Sequence, residues 1–191
     1  MNKGVIAVIF GVAMLATGCA SVNKAQVQMY PQVRSDAKKV VMMPTFGMGS
    51  DDASTKVVET QVMASFHPLP GAEIARQIGI YDKLRPVWEK TMNSLMNDPS
   101  GALDATLSEV LSKIGNASGV DALLVSAIQG SETTYNGRTN IHIVCGLYDL
   151  RDKSYRWVGS YIDARGIAPI PFKAFVANAV NDISKGVVEQ K

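Results

Sequence analysis

Two runs of alternating apolar and polar residues, 140–150 and 155–163, face each other across the polar stretch Arg151-Asp152-Lys153-Ser154. A period of two sends successive side chains to opposite faces of a strand, and so short a polar break between two such runs closes a hairpin. The first run sets Ile141, Ile143, Cys145 and Leu147 on one face. The second alternates Trp157 and Tyr161 against Val158 and Ile162. An antiparallel pair carrying this much apolar surface needs neighbours and a cover, which the rest of the chain must supply.

Val40, Val41, Met42 and Met43 form a compact apolar run between two lysines and Pro44, the pattern of a buried first strand. Residues 45–54, with Gly47-Met48-Gly49-Ser50, read as a loop. Residues 57–66 fit a strand or a short helix equally, because Val57, Val58, Val62 and Met63 satisfy neither period alone; His67-Pro68-Leu69-Pro70-Gly71 ends the element. Helical spacing returns in Leu84, Trp88, Met92 and Leu95, over 81–96. It recurs after a Ser100 cap in Leu103, Leu107, Val110, Leu111 and Ile114. Residues 119–128 read as a further strand. After Pro169-Ile170-Pro171, a last helix carries Phe172, Val176, Ala179, Ile183 and Val187. This order predicts a single α/β (α+β) domain over 38–191, a mixed sheet of four to five strands flanked by helices.

The chain opens Met1-Asn2-Lys3, runs apolar from 4 to 16, and continues Thr17-Gly18-Cys19-Ala20-Ser21. A positive start, a short apolar core and small residues at its end make an export signal over 1–18, too short for a comfortable transmembrane helix of about 20 residues. Leu15-Ala16-Thr17-Gly18-Cys19 resembles the bacterial lipobox, with Ala16 where leucine is commoner. That resemblance implies acylation of Cys19 and cleavage before it, which would tie the protein to a lipid bilayer. An ordinary secretory cut after Gly18 and an uncleaved anchor stay open as alternatives. Ala20 and Ser21 stand where inner-membrane lipoproteins commonly carry aspartate, so the resemblance points to the periplasmic face of the outer membrane. Residues 19–37 read as a polar tether whose 18 residues after the cysteine span at most about 60 Å.

The Val40–Pro44 stretch, the Gly119-Val120-Asp121-Ala122-Leu123-Leu124-Val125 strand and Tyr148-Asp149-Leu150 before the hairpin turn together resemble a group of envelope proteins. The group comprises the penicillin-binding-protein activator lipoproteins, the curli secretion lipoprotein and the amino-terminal domain of the Tol propeller protein. The similarity spans roughly 38–188 and implies a mixed sheet flanked by helices. Residues 54–81 depart from it, holding Pro68, Pro70 and Gly71 where the group has a long first helix.

Chemistry is thinly represented. With 19 basic and 17 acidic residues, a net charge of +2 and no basic face, the chain gives no reason to expect nucleic acid. Its densest basic cluster, Arg151, Lys153 and Arg156, reads as a solvated turn. The Gly47-Met48-Gly49 pattern lacks the third glycine and the lysine of phosphate-binding loops, so no cofactor is expected. There are two histidines, His67 and His142, and no GxSxG elbow. His142, opposite in parity to Ile141 and Ile143, is either solvent-exposed or packed under a helix. Cys145, without a partner if Cys19 is acylated, reads as a core hydrophobe. Asp51-Asp52 reads as a solvated turn and no metal ligands cluster. Paired carboxylates stay open, because spatial neighbours are invisible in sequence.

These readings lead to a non-enzymatic accessory or assembly factor that binds another envelope protein or a second copy of itself. A short tether speaks against reaching an inner-membrane synthase from the outer membrane. A small-ligand or envelope-polymer module using 45–54 and Tyr135 is the first alternative, and an envelope hydrolase the second.

Overall fold

A computed structural model of the chain describes residues 25–30, 39–70, 119–136, 140–163 and 170–189, with the single positions 109 and 112. The leader, Cys19 and the helix expected over 81–96 lie outside the described residues. So does the helix expected over 100–114, apart from Glu109 and Ser112, which are helical.

The strands are β1 (Gln26–Met29), β2 (Val40–Met42), β3 (Phe46–Met48), β4 (Leu69–Pro70), β5 (Ala122–Gln129), β6 (His142–Asp149) and β7 (Ser154–Ile162). The helices are α1 (Asp52–Phe66), α2 (Glu132–Asn136) and α3 (Phe172–Glu189). All seven strands join one mixed sheet in the order β1-β7-β6-β5-β2-β4, with β3 lying on β5 beyond the end of β2. β5, β6, β7 and β1 run antiparallel in succession, while β2 and β3 are parallel to β5. The expected fold class holds for this single domain.

β2 and β3 are one strand interrupted by Pro44, which has no N–H to give β5. Met43 still donates to the Leu124 carbonyl at 2.9 Å. Across the gap the Thr45 and Ser126 hydroxyls bond to each other at 2.8 Å, replacing a missing ladder bond with a side-chain one. The central strands are apolar on both faces. Met42, Leu124, Ile128, Ile143, Cys145, Trp157 and Tyr161 line one, and Val41, Leu123, Val125, Val144, Tyr148 and Val158 the other, all buried. A strand buried on both sides reads as a near-continuous apolar run, as 122–128 does with Ser126 its one polar residue.

α1 and α3 cover the first face. α1 settles the ambiguity at 57–66 in favour of a helix, with Val58 and Val62 fully buried one turn apart. Asp51 caps its start by accepting from the Ser54 N–H at 2.6 Å. His67 ends it in the left-handed conformation, φ 52°, donating its N–H to the Met63 carbonyl. A 15-residue first helix therefore precedes the prolines. α3 buries Phe172, Phe175, Val176, Ala179, Val180, Ile183 and Val187 along one stripe. Each large apolar side chain so buried contributes about 1.5–3 kcal/mol. Gly159 admits this helix: a β-carbon there would collide with Ile183.

Two expectations need correction. Among the described residues the sheet has seven strands, not four to five, since β3 lies within the expected loop 45–54, β4 follows the His67 cap, and β1 lies within the expected tether. Gln26–Met29 pairs with Ser160 to Trp157 of β7, turning Val27 and Met29 onto the core and leaving Gln26 and Gln28 exposed. Four alternating residues in a polar stretch are too few to stand out by period, yet enough to extend an edge.

Candidate functional site

Cys19, the one site residue expected from the sequence, lies outside the described residues. What the fold adds is direction. β1 is antiparallel to β7 and Gln26 lies opposite Ser160, so the chain toward Cys19 leaves at the end of the sheet where β7 finishes. Extended, the seven Cα-to-Cα steps from Cys19 to Gln26 reach about 25 Å, well under half the span expected of 19–37.

The glycine loop is occupied by its own side chains. The Asp51 carboxylate sits at the start of α1, where a phosphate would bind, and its hydrogen bonds from Ser54 hold it below the usual carboxylate range. Ser50 donates its hydroxyl to the carbonyls of Ile128 and Gly130, and Ser54 Oγ accepts the Glu132 N–H at 3.0 Å. Tyr135, the aromatic expected to assist a ligand, is buried against Phe172 and Phe175 and donates its hydroxyl to the Ile170 carbonyl at 2.9 Å.

Neither reactive side chain of β6 is poised for chemistry. Cys145 is fully buried between Ser126 and Gly159, and burial pushes its thiol up to about 12. His142 is half-buried between Gln129 and Ile162, with Nε2 enclosed and without a hydrogen-bond partner. Desolvation lowers its pKa below the ordinary histidine value. Its placement satisfies neither expected extreme. His67 serves as a helix cap.

The hairpin holds what sequence reasoning missed. Asp149 is fully buried, and Arg156, expected in a solvated turn, is 7% exposed. Leu147 pairs with Trp157 but Tyr148 with Tyr155, so Arg156 is the extra residue of a β-bulge. The bulge directs its guanidinium to Asp149, donating from Nε at 2.9 Å and also from Nη2. Arg151 adds Nη2 at 3.0 Å, and the N–H groups of Arg151 and Asp152 donate to Oδ1 at 2.8 and 3.2 Å. Burial opposes the charge on Asp149, but the Arg151 and Arg156 side chains and these backbone donors outweigh it, holding the carboxyl far below its usual range. Beside it the Tyr155 hydroxyl is buried with no hydrogen-bond partner, its pKa driven up by desolvation and by Tyr148 and Tyr30. The sequence signal was an acidic residue two and seven positions before arginines around a turn, which is unremarkable without knowing the bulge.

The large exposed apolar side chains among the described residues are Ile162, Ile170 and Val188. Ile162 ends β7. Ile170 reaches the same end of the sheet through its Tyr135 bond, since Tyr135 packs on Phe175 and Phe175 on Tyr161. Val188 belongs to the last turn of α3, over β1.

No family model matches the sequence, and no curated protein matches it. Solved structures do. The PelC dodecamer from Paraburkholderia phytofirmans is similar over 84% of this chain and 94% of that chain, at TM-score 0.50 and 8% identity. Lipoprotein GNA1162 from Neisseria meningitidis is similar over 80% and 94%, at TM-score 0.40 and 16% identity. The LpoB C-terminal domain from Escherichia coli is similar over 72% and 90%, at TM-score 0.39 and 12% identity. At these identities the PelC likeness shows a common fold and nothing finer: this chain has the sheet-and-helix fold of a protein that was solved as a dodecamer.

Proposed function

We propose that this protein is a lipoprotein held by acylated Cys19 at the periplasmic face of the outer membrane, where it acts as a non-enzymatic accessory or assembly factor for envelope proteins. The observation that carries the reading is how the fold uses its chemically capable side chains. Cys145 fills the core, Asp149 and Arg156 neutralise each other at a bulge, and Asp51, Ser50 and Tyr135 satisfy backbone groups. Among the described residues, what faces outward is scaffold surface, which suits contact with other macromolecules. The fold shared with PelC, a dodecamer in its crystals, favours like subunits as one partner. The Leu15-Ala16-Thr17-Gly18-Cys19 motif supports the anchor, and Ala20-Ser21 the outer membrane.

Two measurements test this. Cys19→Ser should move the protein from membrane to soluble fractions, and retention of that variant would indicate an uncleaved helix instead. Crosslinking in intact envelopes followed by purification should recover the protein in a discrete higher-mass assembly. Recovery as a bare monomer under efficient crosslinking would remove the accessory reading.

A further inference from the structure

The chain toward Cys19 leaves from only one end of the sheet. β1 starts opposite Ser160, two residues from the end of β7, so the tether departs beside Ile162. Ile162 is 53% and Ile170 40% exposed. The far end is the β6–β7 turn with Arg151, Asp152 and Lys153, all polar and charged. We propose that the β7-terminal end faces the bilayer, with Ile162 and Ile170 seated in its interface and the β6–β7 turn pointing into the periplasm. This rests on the reading of Cys19 as the acylated residue and adds the orientation that the lipid alone does not set.

Tether length decides between the ends. Seven Cα steps span at most about 25 Å. From Gln26 to the level of Ile162 is two residues along the strand, about 7 Å, which leaves some 18 Å to cross the headgroups. From Gln26 to the level of Ser154 is six residues, about 20 Å in the opposite direction. A turn-down orientation would require the tether to double back along the sheet at nearly full stretch. For any seven-residue coil the unstrained length is about 15 Å, so holding one at full stretch has an entropic cost.

Charge places the contact within that end. Asp51, Asp52 and Glu132 are exposed on the side formed by β3, α1 and α2, where an anionic leaflet would repel them. Ile162 ends β7 beside the tether, while Ile170, whose carbonyl accepts the Tyr135 hydroxyl of α2, precedes α3 and the exposed Lys173 near its start. Ile162 is therefore on the tether side of the end, and Ile170 lies nearer α2, which carries Glu132. The acyl chains supply the affinity; two partly buried isoleucines fix a tilt.

The test uses the full-length acylated protein in vesicles of phosphatidylethanolamine and phosphatidylglycerol, carrying an environment-sensitive maleimide dye at Ile162→Cys, Ile170→Cys or Lys153→Cys. Selective labelling is possible because Cys145 is fully buried and Cys19 would be alkylated. Blue-shifted emission at 162 and 170, quenched by nitroxides on the lipid chains, with an unquenched aqueous spectrum at 153, is the expected result. Aqueous spectra at 162 and 170 while the protein floats with the vesicles would overturn the orientation and leave the anchor standing. Failure to float, with Cys19 bare by mass spectrometry, would instead remove the anchor and this inference with it. Blue-shifted but unquenched dye at 162 and 170 would mean that a second copy or another protein covers this end, which also overturns the proposal. Amide exchange of the unlabelled protein provides a measurement free of substitution: residues 160–163 and 170–173 should slow on vesicles relative to soluble Cys19→Ser, and 150–154 should not. Uniform rates in the two would count against it.

Discussion

Replacing Arg156 with methionine keeps the aliphatic stem of the side chain but strips Asp149 of its most deeply placed partner. Asp149 is fully buried and the Arg156 side chain only 8% exposed, so water can do little to replace the lost donor. Removing one member of a buried pair typically costs about 3–5 kcal/mol. Here Arg151, whose side chain is 32% exposed, and two backbone N–H groups stay on the carboxylate. The lower end of that range, about 3 kcal/mol, is the expected loss. For a domain of this size it corresponds to a fall in Tm of about 6–12 °C. The Asp149→Asn, Arg156→Met double variant keeps an oxygen for the two N–H groups and leaves no charge stranded. It should recover roughly 2 of those 3 kcal/mol.

Urea titration of the unacylated Cys19→Ser chain and its variants measures all four corners of the cycle. Energies that add within about 0.5 kcal/mol would show that the two side chains do not depend on each other, and would refute the argument. pH supplies a second reading. The folded carboxyl ionises below its unfolded value near 3.9, so the unfolded chain binds the extra proton. The stabilisation is whole above about pH 5 and drains as pH falls, by at most about 1.4 kcal/mol per pH unit. Asp149→Asn should flatten the acid limb by up to that slope; an unchanged limb would place the acid sensitivity elsewhere.

Three further outcomes follow from packing and capping. Gly159→Ala should cost about 1–3 kcal/mol because its methyl meets Ile183, and Ile183→Ala in the same chain should be less harmful than in wild type, by urea midpoints. Cys145 should resist maleimide at pH 8 in native Cys19→Ser protein and react fully in urea, since burial raises its thiol to about 12; rapid native labelling would contradict the buried placement. Asp51→Ala should lose about 1 kcal/mol by removing the acceptor for the Ser54 N–H, and Asp51→Ser should restore most of it, as judged by thermal melts.

The hairpin, β5 and α3 were legible because each repeats its pattern long enough to exclude the alternative. β5 is eight residues without a charge and α3 carries its stripe over 18. α1 was not, because its two fully buried apolar residues, Val58 and Val62, fit a helical turn and an even-numbered strand spacing alike. β1 depended on a partner 130 residues away, and nothing in Gln26-Val27-Gln28-Met29 announces Trp157 to Ser160. The bulge is the clearest instance. Plain alternation puts Tyr155 with Trp157, but one extra residue at Arg156 sends Tyr155 to the face of Tyr148, where the rings meet edge to face at 5.5 Å. A single inserted residue thus moved an aromatic across the sheet and an arginine into the interior, and neither move leaves a trace in composition or period.

The bulge also explains why the charged groups of the hairpin belong in water. Asp149 and Arg156 are already desolvated and compensate each other, but Arg151 keeps a third of its side chain exposed while also serving Asp149. Pressing that end against lipid would strip the remaining water from Arg151, Asp152 and Lys153, at several kcal/mol for each ion left without a partner. On the tether side of the opposite end Asp163 is buried and Ile162 gains by leaving water, while the exposed Asp51, Asp52 and Glu132 stand on the other side, at α1 and α2. A body tied by a short strand extension beside Ile162, with the charged β6–β7 turn at the far end, has a preferred way up. Ile162→Lys should weaken that preference without unfolding the domain, because a side chain more than half exposed adds little to the core.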